Sequence, residues 1–118
     1  MSYKEYTVQV YANGDKYWFL ADKLHREDGP AIEYANGEKR WYLEGKLHRE
    51  DGPAAEYANG TKYWYLAGKL HREDGPAIEY ANGTREYWYK GTKIENIVNM
   101  IIDNDKEYIR ILKLKAFW

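Results

Sequence analysis

Three copies of one chemically loaded tetrapeptide, His-Arg-Glu-Asp, stand at residues 25–28, 48–51 and 71–74. An imidazole, a guanidinium and two carboxylates in four residues could serve a metal, acid–base catalysis or ion pairing, and the spacing decides among them. Equivalent side chains one repeat apart in a sheet lie two strand spacings from each other, roughly 10 Å. A zinc–nitrogen bond is only about 2.0–2.1 Å. His25, His48 and His71 therefore cannot share one ion. Calcium wants six to eight oxygens around a point, and two carboxylates beside an arginine fall short of that. An active site needs one asymmetric constellation, whereas three identical sets form a ladder. The expectation is no catalytic residue, no metal and no cofactor. His25, Arg26, Asp28, His48, Arg49, Asp51, His71, Arg72 and Asp74 are read as a structural brace of the loops, with each arginine paired to carboxylates of adjacent loops.

Composition narrows the chemistry further. The 118 residues carry 18 Lys+Arg against 19 Asp+Glu, a formal net charge of −1, which argues against direct nucleic-acid binding. Cysteine is absent, so thiolate nucleophiles and Cys-ligated zinc are excluded, and the lone serine, Ser2, leaves almost no room for a Ser hydrolase. No apolar run approaches membrane-spanning length and the first residues carry no apolar signal core; the expectation is a soluble protein of the cytoplasm. Thirteen Tyr and five Trp are the unusual feature. Both pair an apolar body with a polar tip and favour half-exposed sheets and interfaces.

These residues are positioned by a 23-residue repeat that starts at Tyr11, Tyr34, Tyr57 and Tyr80. Each unit runs Tyr-Ala-Asn-Gly, an aromatic strand, a two-residue step that ends in Gly in all but the first copy, and then Lys-Leu-His-Arg-Glu-Asp-Gly-Pro-Ala in the first three copies. A period of this length marks stacked supersecondary units. Asn-Gly predicts a type I′ hairpin turn, Thr61–Leu66 one continuous aromatic strand, and Gly-Pro a bend that starts the next strand. The predicted fold is mainly β: a single-layer antiparallel meander of hairpin repeats with a small α-helical C-terminal cap. The chain reads as one domain, with an N-terminal capping strand in 1–10, repeats in 11–92 and a cap in 93–118. Thr92 and Glu95 suggest a capping box, and Ile94, Ile97, Val98, Ile101 and Ile102 keep helical spacing. Residues 108–118 fit a second helix or a strand, with helix preferred.

The Ala12–Tyr17 segment, the Gly45–His48 segment and the 23-residue length resemble MORN repeats over roughly residues 11–93. The unit is closer still to variant MORN-like repeats with a His-x-x-x-Gly-Pro-Ala core, found in bacterial and phage proteins. It departs from the ordinary unit in filling the aromatic strand with Trp-Tyr-Leu and in lengthening the loop after His. The resemblance implies an interaction scaffold.

Strand alternation sorts the aromatics onto two faces. Trp18/Leu20, Trp41/Leu43 and Trp64/Leu66, closing with Tyr87/Tyr89, form the expected core face. Tyr17, Phe19, Arg40, Tyr42, Tyr63, Tyr65 and Trp88 form the more exposed face and the candidate partner-binding surface, since Tyr, Trp and Arg dominate binding hot spots. The same ladder also serves cross-strand pairing alone. The expected function is a non-enzymatic protein-binding module. From the resemblance, its sharper form is a phage-encoded, anti-CRISPR-like inhibitor acting on a defence protein in the host cytoplasm. The rival readings are carbohydrate or lipid-headgroup binding by the aromatic face, and a self-assembling scaffold or homo-oligomer.

Overall fold

The computed structural model of the chain describes residues 5–94, and these are β throughout with no helix among them. The first strands are β1 (Tyr6–Val10), β2 (Lys16–Leu20), β3 (Lys23–Leu24) and β4 (Ile32–Glu33). Next come β5 (Lys39–Arg40), β6 (Tyr42–Leu43), β7 (Lys46–Leu47) and β8 (Ala55–Glu56). The third unit repeats the pattern in β9 (Lys62–Tyr63), β10 (Tyr65–Leu66), β11 (Lys69–Leu70) and β12 (Ile78–Glu79), and β13 (Arg85–Tyr89) and β14 (Thr92–Ile94) close the series. One antiparallel meander runs β1-β2-β4-β5-β8-β9-β12-β13-β14, with β3 paired to β2 and the hairpins β6–β7 and β10–β11 as separate two-stranded pieces.

The type I′ turn expected at Asn-Gly lies instead at the second reversal of each unit. At Asn13-Gly14 only the glycine has positive φ, +100°. Gly14 N–H donates to the Tyr11 carbonyl and Tyr11 N–H to the Asp15 carbonyl, each at 2.9 Å, which is the three-residue hairpin with a glycine bulge. Asparagine serves this turn through its side chain: Oδ1 of Asn13, Asn36, Asn59 and Asn82 accepts the N–H two residues on at 2.9–3.0 Å. Type I′ geometry falls instead at the second reversal, where Glu44 (φ 50°) and Gly45 (φ 80°) are both left-handed, as are Ala67-Gly68 and Lys90-Gly91.

The aromatic strand also differs from expectation. It stays whole in β2 and β13 but divides at Trp41 and Trp64. The Trp41 N–H donates to the Ala54 carbonyl at 2.7 Å while its own carbonyl accepts the His48 N–H at 2.9 Å. Before Trp41 the chain pairs with β4 of the preceding unit and with β8 of its own; after it, with β7. The C-terminal expectation changes too. Thr92–Ile94 is strand, antiparallel to β13, so Thr92 does not cap a helix. Ile94 occupies the place of the repeat histidine and is buried. The expected helices beyond it, in 95–118, lie outside the described residues.

The buried side chains are not those of the Trp/Leu row. Ala31, Ile32, Ala54, Ala55, Ala77 and Ile78 have 0–4 % of their surface exposed, whereas the aromatic rows are half-buried except at Tyr89, which closes the Trp/Leu row and is 4 % exposed. The register explains this. Tyr17, Ile32, Arg40, Ala55, Tyr63, Ile78 and Glu86 follow one another across the sheet on one face. On that face the large side chains flank the aliphatic residues of the central strands. The other face carries alternating Lys16, Glu33, Lys39, Glu56, Lys62, Glu79 and Arg85 in the same register, opposite charges directly across from each other.

The first unit lacks the glycine of the type I′ turn and places Asp22 at φ 64°. A left-handed non-glycine residue is strained, and glycine relieves that strain against its own chain-entropy penalty. Asp22→Gly is expected to raise stability by about 0.5–1 kcal/mol, measured by urea denaturation. Gly45→Ala shifts it in the opposite direction.

Candidate functional site

Two assemblies occupy the two faces. On one, the His-Arg-Glu-Asp-Gly-Pro loop folds back over the tryptophan of its own unit. The guanidinium carbon of Arg26 lies 4.1 Å from the ring centre of Trp18, Arg49 3.9 Å from Trp41 and Arg72 4.0 Å from Trp64, the geometry of cation–π attraction. Each arginine Nε donates to the aspartate two residues on, at 3.1, 3.0 and 2.9 Å for Asp28, Asp51 and Asp74. Each Nη1 donates to the carbonyl of Pro30, Pro53 or Pro76 at 3.1–3.2 Å. The expected pairing with adjacent loops is thus replaced by pairing within the loop, because the guanidinium fork matches the curl of its own backbone. Gly29, Gly52 and Gly75 make the curl possible: a β-carbon there would stand 2.7–2.8 Å from the guanidinium carbon.

The histidines reach outward to the next unit. Nδ1 of His25, His48 and His71 accepts the backbone N–H of Glu44, Ala67 and Lys90, each at 2.9 Å. A ring nitrogen that accepts leaves the proton of the neutral ring on Nε2. In His25 that atom faces Glu27 Oε1 at 3.4 Å. Two shallow clefts separate consecutive loops, of about 510 Å³ beside Trp64 and His71 and about 330 Å³ beside Trp41 and His48. Glu50 and Asp51 border both.

The opposite face holds the aromatic row. Tyr17 and Phe19 stack with ring centres 6.5 Å apart, and Tyr63 and Tyr65 do so at 6.3 Å. Tyr11 and Tyr34 meet Tyr17 edge-on, as Tyr57 and Tyr80 meet Tyr63. Arg40 lies between the two clusters, its guanidinium 4.2 Å from the Tyr57 ring and 5.6 Å from that of Tyr34. Tyr42 and Tyr65 adjoin this centre; burial, followed by the neighbouring phenols, raises both above the ordinary tyrosine range. The row closes on Glu86, whose carboxylate accepts from Tyr80 OH at 2.8 Å and Trp88 Nε1 at 3.0 Å. The candidate partner-binding residues thus share a face with Tyr11, Tyr34, Tyr57 and Tyr80, which the sequence marks only as the starts of the repeats. Their constant six-residue offset from Tyr17, Arg40, Tyr63 and Glu86 is the signal that marks them.

No family model, curated protein or solved structure matches this chain. Among the described residues, no helix is long and apolar enough to cross a membrane, and no group of three or more His, Cys, Asp or Glu side chains could hold a metal ion.

Two outcomes follow from these contacts. Gly52→Ala displaces the Arg49 guanidinium from Trp41, with an expected loss of about 0.5–2 kcal/mol and a change in tryptophan fluorescence. The second concerns acid. The Tyr80 hydroxyl, then the Trp88 indole, holds the Glu86 carboxyl below its ordinary value of 4.5, and the same hydrogen bond pushes Tyr80 up to about 12. A depressed folded-state carboxylate contributes stability above its unfolded-state value and loses it as pH falls through the folded one. Stability should therefore decline below about pH 4.5. Glu86→Gln should flatten that decline and bring phenolate formation at Tyr80 to lower pH, read by ultraviolet titration.

Proposed function

We propose that this chain is a non-enzymatic protein-binding module that engages its partner through the face carrying Tyr17, Phe19, Arg40, Tyr42, Tyr63, Tyr65 and Trp88. The observation that carries the reading is the position of Arg40, held between Tyr34 and Tyr57 at the centre of a half-buried aromatic row. Rings fixed against each other lose little side-chain freedom on binding. The Arg40 guanidinium is fixed as well, Nη1 donating to the Lys39 and Glu56 carbonyls at 3.1 and 3.3 Å and Nη2 to the Glu38 carboxylate at 3.2 Å, so it orders the rings that a partner would meet.

The resemblance to MORN-like repeats supports the scaffold class. Its phage-associated members favour the finer form, an inhibitor that occludes a host defence protein. The test is affinity capture from bacterial lysate with the full chain, followed by measured binding of the captured protein. Arg40→Ala and Tyr63→Ala should each weaken that binding by about 30-fold or more, with the circular-dichroism spectrum unchanged. Equal binding by both variants would move the interface off this face. Competition by a free sugar or lipid headgroup would replace the protein-binding reading with ligand binding.

A further inference from the structure

Among the described residues, the first strand of the sheet has an open hydrogen-bonding edge: β1 pairs with β2 on one side only and stands at the end of the sheet order. The register shows which of its backbone groups face outward. Val8 lies opposite Trp18, but Trp18 donates its N–H to Ala31 and accepts with its carbonyl from His25. Val8 and Trp18 are therefore a non-hydrogen-bonded pair, and the N–H and carbonyl of Val8 point away from β2. The two-residue period of a strand gives Tyr6 and Val10 the same orientation. Tyr6, Val8 and Val10 are also exposed, at 38, 45 and 64 %.

Edges of this kind are normally blunted by lysine, proline or a bulge. β1 has none of these: Tyr-Thr-Val-Gln-Val is uncharged and unbroken. By contrast, β2, β3, β5, β7, β9 and β11 all carry lysine. β1 is also complementary to itself. Turned about a two-fold axis through Val8, it sets Tyr6 against Val10 and Thr7 against Gln9. Those are aromatic–β-branched and polar–polar cross-strand pairs, with no like charges opposed.

We infer that β1 is the interface of a symmetric homodimer, pairing antiparallel with β1 of a second copy in the register Val8 to Val8. The outward N–H and carbonyl groups of Tyr6, Val8 and Val10 then bond to those of Val10, Val8 and Tyr6 of the second copy. The interface is isologous and closes after two chains. Its axis is perpendicular to the sheet, so both aromatic rows lie on the same side of one continuous sheet, joined through Thr7 and Gln9. Gln9 already belongs to that row, accepting a hydrogen bond from Tyr11 OH at 3.0 Å.

Sedimentation equilibrium of the full chain tests the inference, with a mass of twice 14.0 kDa expected. Val8→Lys sets two ammonium groups against each other on the axis and should weaken association by at least about tenfold. Val8→Glu does the same with carboxylates, and an equimolar mixture of the two variants should return to the dimer mass. That rescue separates a lost interface from a lost fold. A wild-type chain that stays at 14.0 kDa up to roughly 100 μM overturns the inference. So does a Val8→Lys dimer of undiminished affinity, or a Lys/Glu mixture that remains monomeric.

Discussion

A unit of 23 residues built largely from two-residue strands cannot satisfy its own backbone, because strands that short leave most N–H and carbonyl groups at a boundary. The acceptor on the repeat histidine meets that shortage. Through Nδ1 it takes the N–H of a type I′ turn in the following unit, close to where Gly45, Gly68 and Gly91 donate to the carbonyls of Leu24, Leu47 and Leu70. At the other end of the unit, Asp15 accepts from Ala35 N–H and Thr61 from Ala81 N–H. Units one and three are thus held to the next at both ends of their strands, and unit two at the histidine end. Where this series of joints stops, Ile94 replaces the histidine and fills the same buried place.

The two faces divide the work of an otherwise thin sheet. On one, each arginine stacks on its tryptophan, and the glycine is there because a guanidinium occupies the space of its side chain. On the other, tyrosines flank Ile32, Ala55 and Ile78. Neither face approaches the burial of a two-layer core, so aromatic breadth substitutes for depth. Tyr and Trp are suited to this because one end of each can stay wet.

The period, the mainly β class and the positions of the reversals were legible in the sequence, since Gly, Asn and Pro mark nearly all of them locally and the repeat places the exception, Ala21-Asp22. The turn types were not. Asn-Gly signals type I′ in a two-residue loop, but the pairing of Tyr11 with Asp15 lengthens the loop, and glycine alone then needs positive φ. Nor was the division of the aromatic strand at Trp41, because its alternation is unbroken and the change of partner comes from Ala54 and His48, both distant along the chain. The core was misplaced for a related reason. Ranking by side-chain size favours Trp and Leu, whereas the central strands bury whatever follows Gly-Pro, which here is Ala-Ile or Ala-Ala. The aromatic face was half visible: its strand residues follow from alternation, its turn tyrosines only from the hairpin geometry.

Near-identity of the units bears on how the chain finds this arrangement. The stretches 34–56 and 57–79 differ only at Glu38/Thr61, Arg40/Tyr63, Glu44/Ala67 and Ala55/Ile78. A joint between units one and three would therefore reproduce almost every contact of a joint between one and two. Looping out the skipped unit adds only about 0.6 kcal/mol of closure entropy for each doubling of loop length. Such misregistered assemblies are natural kinetic traps for repeats. Local chemistry does little to reject them; the dissimilar ends do, since Tyr6–Val10 pairs along all five residues of Lys16–Leu20 and Ile94 has no ring nitrogen to continue the histidine joints. The count of units is fixed by its boundaries, not by anything inside the array.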